Sequence, residues 1–253
     1  MNTTEYNKTI WDRYVANKVR WTIPVSKEEI EDASQGNWGI VLTPKKTVPH
    51  EWFPDLQGLR ILGLASGGGQ QGPILAALGA DVTIFDNSEN QLQQDRILSE
   101  ELGLNIKTTQ GDMKDLSVFP DKSFDLVFNP CSVVFADDLK PIWQECFRVL
   151  KSGGLLMTGL INPIIFQLDQ ENTPLQIVYS QPYSDLHSLS KEKLDQLIAR
   201  QETMEFGHTL TDQIEEQLKA GFLITDFYED DWNGEKEIDK YLPSFFAMRS
   251  VKK

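Results

Sequence analysis

Apolar positions change their spacing twice along this chain. Between about Glu5 and Arg20 they recur at helical intervals: Tyr6, Ile10 and Tyr14 lie on one face with Trp11 and Val15 beside them, which predicts an amphipathic helix. Pro24 follows, and Ser26-Lys27-Glu28-Glu29 reads as a capping box opening a second short helix. Ser34 to Pro54 is rich in Gly, Pro and Trp and carries no period. From Leu59 the pattern becomes a regular alternation. Leu59 to Leu64 is a short apolar run suited to a strand buried on both faces, and a glycine-rich turn leads from it into a helix through Pro73 to Leu78. Asp81 to Phe85, Asn105 to Thr109, Phe124 to Phe128 and Leu155 to Leu160 read as four further strands. Helices separate them. Ser88-Glu89-Asn90-Gln91 caps one that stops at Gly103, and Asp137 or Asp138 caps another that reaches Leu150, with Gly153-Gly154 as its stop.

Such alternation implies parallel pairing with right-handed crossovers. Asn162 to Ser188, with Pro163, Pro174 and Pro182, breaks the rhythm, and helical patterning returns from about Leu189 to Glu205, so an insertion is expected at about 162–205. Thr209 or Thr211 caps a last helix ending at Gly221, followed by strands at Phe222 to Tyr228 and Ser244 to Val251. The short link between these two favours antiparallel pairing. Residues 1–56 are expected to form an N-terminal helical cap or lid, and 57–253 one α/β domain.

Composition narrows the classes open to such a chain. At 253 residues, 40% hydrophobic and 25% charged, one domain with an added cap is expected, with a core large enough to need no staple. Cys131 and Cys146 form no Cys-x-x-Cys pair and no cluster has zinc spacing, so no metal site is expected and both thiols are expected to stay reduced. The first residues have neither a basic nor an apolar region of a signal peptide, and the apolar runs are strand-sized; the expectation is a cytoplasmic protein without a membrane partner. The net charge of -14, from 38 acidic and 24 basic residues, sets the surface against nucleic acid and anionic lipid.

The chemistry concentrates in Ile61-Leu62-Gly63-Leu64-Ala65-Ser66-Gly67-Gly68-Gly69-Gln70-Gln71-Gly72, where a strand runs through glycines into a helix. Glycine lets the main chain approach a ligand without a Cβ clash, and the helix start behind it offers free N–H groups. Asp86, at the end of the second strand, is placed to accept hydrogen bonds from both hydroxyls of an adenosine ribose. Gly67, Gly69 and Gly72 also spell G-x-G-x-x-G, so an NAD-dependent Rossmann oxidoreductase fits these features as well. Gln110-Gly111-Asp112-Met113 after the third strand, Phe124 to Pro130, and Phe147-Arg148-Val149-Leu150-Lys151-Ser152-Gly153-Gly154 favour a different order of motifs. An acid at Asp112 suits an adenine amino group.

In that order the chain resembles the class I S-adenosylmethionine (SAM)-dependent methyltransferases, in the broad small-molecule group that includes quinone-biosynthesis enzymes. The resemblance runs from about Leu59 to Leu160, resumes at Leu218-Lys219-Ala220-Gly221-Phe222, and is echoed by Trp11-Asp12-Arg13-Tyr14. It implies a Rossmann-like α/β fold: a seven-stranded, mostly parallel sheet with a reversed last strand and helices on both faces. It implies SAM as cofactor and S-adenosylhomocysteine as product. By the same resemblance Ala65, Gly67 and Gly69 would line the methionine part, and Asp86 would hold the ribose with Asn87 and Gln91 beside it. Asp112 and Met113 would frame the adenine, Asn129 would sit near the sulfonium, and Tyr14 would close over the carboxylate. Two positions depart from the family pattern: Gly63 stands where an acid is usual, and Ala65 where the first glycine is usual. A protein that binds SAM without turnover also fits those departures.

Methyl transfer from a sulfonium needs positioning and desolvation more than a reactive side chain. No catalytic residue can therefore be assigned from sequence; His50, His187 and His208 are each more ordinary as surface or capping residues, and Asp230 and Asp231 as solvated acids at a strand end. The aromatics Tyr6, Trp11, Tyr14, Trp21 and Trp38 suit a lid, with Phe135, Phe166, Tyr179 and Tyr183 as an opposite wall. The expected acceptor is a small molecule held between them.

Overall fold

Strand burial alternates between two cores. Ile61, Leu126, Phe128, Leu155 and Met157 point into one; Leu62, Leu64, Val127, Leu156 and Leu160 point into the other. A sheet apolar on both faces must be covered on both. The computed structural model describes residues 1–169 and 174–253. Its main sheet holds seven strands: β1 (Arg60–Leu64), β2 (Asp81–Asp86), β3 (Ile106–Gln110), β4 (Phe124–Asn129), β5 (Leu150–Ile161), β6 (Phe222–Asp230) and β7 (Phe245–Lys252). Their spatial order is β6-β7-β5-β4-β1-β2-β3. Strands β1 to β5 pair in parallel, and β7 runs antiparallel to both β5 and β6.

The first core is closed by α2 (Lys27–Ser34), α3 (Gln71–Ala77) and α4 (Glu89–Leu102), together with Ile40, Leu42, Val48 and Trp52 of the irregular N-terminal stretch. The second is closed by α5 (Lys140–Val149), through Ile142, Trp143, Cys146 and Val149. The N-terminal helix α1 (Thr3–Ala16) lies over the carboxyl ends of the strands, where its residues line the main cavity. Asp12 ties it to the start of α4, accepting from Ser88 Oγ at 2.6 Å and from the Asn90 N–H at 3.1 Å.

Several boundaries differ from the pattern-based reading. The first helix ends at Ala16, because Lys18 turns into the left-handed region at φ 53°, and a separate 3-10 turn takes Arg20–Thr22. Helix α5 stops at Val149, ahead of Gly153-Gly154; Leu150 is already paired with Phe124 and buried, so sheet pairing ends the helix before the glycines. Ser88 caps α4 through the Gln91 N–H alone, without the reciprocal half of a capping box. The last helix begins at Thr209, whose hydroxyl exchanges hydrogen bonds with Asp212, and runs through a π turn (Thr211–Glu215) into Glu216–Ala220.

The expected insertion is built from short pieces. A 3-10 turn (Pro163–Gln167) precedes two ladders, Leu168–Asp169 with Gln176–Ile177 and Tyr183–Ser184 with Phe206–Gly207, and α7 (Lys191–Arg200) follows the short α6 (Asp185–Ser188). Residues 170–173 of that insertion lie outside the described residues. Among the described residues no helix is long and apolar enough to cross a membrane.

Candidate functional site

The site begins at the turn leaving β1. Ala65 sits at φ 46°, a left-handed conformation that costs a residue with a Cβ, and its N–H donates to the Phe85 carbonyl at 2.7 Å. Gly67 has no room for a side chain: a Cβ there would stand 2.9 Å from Gln91 Cβ and 3.2 Å from Asp86 Cβ and Cγ. This closeness lets the Gly67 N–H donate to Asp86 Oδ2 at 2.9 Å, while the other oxygen accepts the Ser88 N–H at 2.9 Å. A carboxylate has about four lone-pair sites, so Asp86 keeps acceptor capacity beyond these backbone bonds. Burial pushes its pKa up, partly offset by the N–H bonds from Ser88, Gly67 and Asn87. Gly111 is required for the same reason of space, since a Cβ there would overlap the Phe85 ring.

Gly63 and its surroundings account for the missing family acid. A Cβ at Gly63 would lie 2.5 Å from Ser66 Oγ and 2.6 Å from Ile84 Cδ1. A carboxylate reaches the glycine turn from the other side instead. Asp95 of α4, 0% exposed, accepts the Gly68 N–H at 3.0 Å, and burial pushes it up to about 7. Sequence reasoning missed Asp95. The signal was present, for Asp95 interrupts the apolar stripe of Leu92 and Leu98 that α4 turns inward.

A cavity of about 440 Å³ opens beside this turn, within the usual range for a ligand site. Of the residues singled out from sequence, Ala65, Gly67, Asp86, Asn87, Gln91, Asp112 and Met113 line it. Asn87 is anchored by donating to the Thr4 carbonyl at 2.9 Å, which joins α1 to the end of β2. Asp112 accepts the Lys114 N–H at 3.0 Å.

Tyr14, Gly69 and Asn129 are not on the cavity wall. The Tyr14 hydroxyl accepts the Thr203 N–H at 3.3 Å and anchors α1 against the segment before the last helix. Gly69, at φ 70°, packs under Pro24, and its carbonyl accepts the Val25 N–H at 2.9 Å. Asn129, fully buried, donates to the Leu64 carbonyl at 2.8 Å and to Ser132 Oγ at 2.6 Å, bracing the ends of β1 and β4.

Part of the cavity wall is apolar and aromatic. Trp11, Trp21, Phe135 and Phe166 line it as the aromatic pattern suggests, joined by Ile165 and by Trp232, which the pattern did not single out. Trp11 meets Phe135 edge-on at 5.3 Å. Tyr6, Trp38, Tyr179 and Tyr183 are not on this wall: Trp38 stacks on His50 at 4.0 Å, and Tyr183 donates to Asp185 at 2.6 Å. None of the three histidines is either. His208 is buried with Nε2 against the Ala136 carbonyl at 2.8 Å, and burial lowers its pKa. Asp230 is not a solvated acid; it accepts the N–H groups of Lys45 and Lys46, each at 2.9 Å, and pins the loop that carries Thr43 and Pro44 to the cavity.

The fold and this site define a class I methyltransferase, and comparison with known proteins agrees. Residues 62–158 match the family described as methyltransferase domain. The chain is 49% identical to an uncharacterized methyltransferase, YbaJ, of Bacillus subtilis over 98% of its own length and 97% of that protein's. It is 34% identical to a sterol 24-C-methyltransferase of Aspergillus fumigatus, across 39% of this chain and 27% of that one. The structure superposes on a SAM-dependent methyltransferase from Mesorhizobium loti with a TM-score of 0.62 at 19% identity, covering 80% of this chain and 94% of that one. The chain belongs to the class I SAM-dependent methyltransferase family, and SAM is its cofactor. The residues present fit that group: the Asp86 carboxylate on the cavity wall for a ribose diol, and a glycine cradle that a Cβ would fill at Gly67.

Proposed function

We propose that the protein transfers the methyl group of SAM to a small molecule held in the aromatic part of the main cavity. Ala65 and Gly67 border the methionine part, Asp86 accepts from the ribose with Asn87 and Gln91 beside it, and Asp112 and Met113 frame the adenine. Bound SAM supplies an electrophilic methyl on a sulfonium. The chain's own contribution is position and dryness. Helix α1, held by Asp12 and by Asn87, covers one side; Phe135, Ile165 and Phe166 cover the other. Excluding water there aligns an acceptor and favours in-line attack. Tyr14, Gly69 and Asn129 serve this reading from behind the wall, by fixing α1, the glycine turn and the β4 end.

The single observation that carries it is the continuity of the cavity, in which Asp86, Trp11 and Phe166 line one space. An aromatic-lined cavity of about 440 Å³ suits a small acceptor better than a macromolecule. The acidic surface, with a net charge of -14, also disfavours a polyanionic substrate.

The test is labelled SAM incubated with the protein and a cell extract, split afterwards by size. Label in the low-mass fraction, above an enzyme-free control, is expected. Label confined to protein or nucleic acid would refute the small-molecule acceptor while leaving the methyltransferase assignment intact.

A further inference from the structure

One ionisable group on the cavity wall has no part in holding SAM. Glu205 lines the main cavity together with Trp11, Phe135 and Phe166. Its main chain is held from two sides. Its N–H donates to Asp185 Oδ2 at 2.7 Å, and its carbonyl accepts the Asp185 N–H at 3.1 Å. The preceding residue, Met204, is clasped by Asn7 of α1, which donates to its carbonyl at 2.9 Å and accepts its N–H at 2.8 Å. The segment that presents Glu205 is therefore fixed to α1 and to α6.

The carboxyl group itself has no hydrogen-bond or ion-pair partner among the described residues. Asp185 beside it is satisfied by Tyr183 Oη and by the Glu205 N–H, whereas Glu205 is not. The groups that face it are Asp185, Glu202 and the phenols of Tyr14 and Tyr183, none of them a cation. Burial, with the charges of Asp185 and Glu202, pushes its pKa up to about 7. Three lysines line the cavity. Lys8 is paired with Glu5 at 3.3 Å and Lys114 with Asp137 at 2.6 Å, and neither these nor Lys236 comes within ion-pair distance of Glu205.

A partly buried carboxylate on a cavity wall without a donor is unfavourable, and its natural complement is a cation that brings its own N–H groups. Aromatic faces add to that attraction. We infer that Glu205 anchors a protonated amine carried by the methyl acceptor, with Trp11, Phe135 and Phe166 around the carbon skeleton. The inference rests on the proposed acceptor site and names its chemical class: a cationic amine rather than a neutral or anionic compound. As Glu205 ionises between pH 6 and pH 8, amine affinity rises, because an alkylamine of lysine-like pKa near 10 stays charged throughout.

Binding tests this without knowledge of the true acceptor. Three amine and alcohol pairs serve as probes: tryptamine with tryptophol, 2-phenylethylamine with 2-phenylethanol, and hexylamine with hexanol. Each is titrated by calorimetry into protein saturated with S-adenosylhomocysteine, at pH 8, in the native chain and in Glu205→Gln and Glu205→Asp. At least one amine is expected to bind about tenfold or more tightly than its alcohol. That preference should collapse to within about twofold in Glu205→Gln and survive in part in Glu205→Asp, with S-adenosylhomocysteine affinity unchanged and no loss of melting temperature in Glu205→Gln. Equal binding of amine and alcohol, a preference retained in Glu205→Gln, or no saturable amine binding by protein that holds S-adenosylhomocysteine would each overturn the inference. Failure of the native chain to bind S-adenosylhomocysteine would instead contradict the cofactor site.

Discussion

Asp95 and Ala65 show how single residues adapt a shared turn. With Gly63 too confined for an acid, Asp95 supplies a carboxylate to the Gly68 N–H from α4. Its folded pKa of about 7 lies above the ordinary 3.8, so the folded chain keeps a proton that the unfolded chain gives up. The resulting stability is fully present below pH 4 and is lost as pH rises through 7. Asp95→Asn, which carries no such proton, should melt with a flatter dependence on pH between 4 and 7. Asp86, Asp185 and Glu205 are shifted the same way, so part of the slope remains. Identical slopes in the variant and the native chain would show that Asp95 does not titrate in this window. Ala65 holds φ 46°, tolerable for alanine and severe for a β-branched residue. Ala65→Gly should keep SAM affinity within about threefold, while Ala65→Val should lose about tenfold or more, roughly 1.4 kcal/mol. Equal affinities in both would remove the geometric argument. Asp86 and Asp112 were legible in the sequence because local order fixes them at strand ends. Asp95 and Glu205 were not, because their roles come from packing across elements.

Among the elements, strand periodicity was the clearest signal, and all seven sheet strands overlap their expected ranges. Helix ends were less legible because tertiary pairing decides them, as at Leu150. The short pieces between Pro163 and Ser188 have no period of their own, unlike α7; the ends of the insertion are tied to α1 through Met204 and to the turn before β7 through Asn162. The Trp11-Asp12-Arg13-Tyr14 motif divides its work by helix face: Trp11 lines the cavity, Asp12 grips α4 and Tyr14 anchors Thr203. One contact between elements is especially tight. The main chain at Leu42 crosses β5 at Gly159, where an added Cβ would overlap the Leu42 carbonyl. Gly159→Ala must therefore push the 40–44 loop from the sheet. A loss of about 3 kcal/mol or more is expected, lowering the melting temperature by roughly 6–12 °C at this chain length. A melting temperature unchanged within about 1 °C would mean the loop yields freely.

For the whole molecule, the sheet order places the carboxyl ends of β1, β2 and β4 around one opening, as ligand sites in open α/β sheets require. Composition and net charge spoke to partners, not to fold, and the identity of the acceptor lies in side chains gathered from distant parts of the chain. The central claim is that this opening is a SAM site whose ribose is held by Asp86. Calorimetry of S-adenosylhomocysteine with the native chain and with Asp86→Ala tests it most directly. The native chain is expected to bind, and the variant to lose about 1.5–3 kcal/mol, roughly 10- to 150-fold, the usual range for hydrogen bonds to a charged group. Unchanged affinity in a folded Asp86→Ala variant would contradict the account.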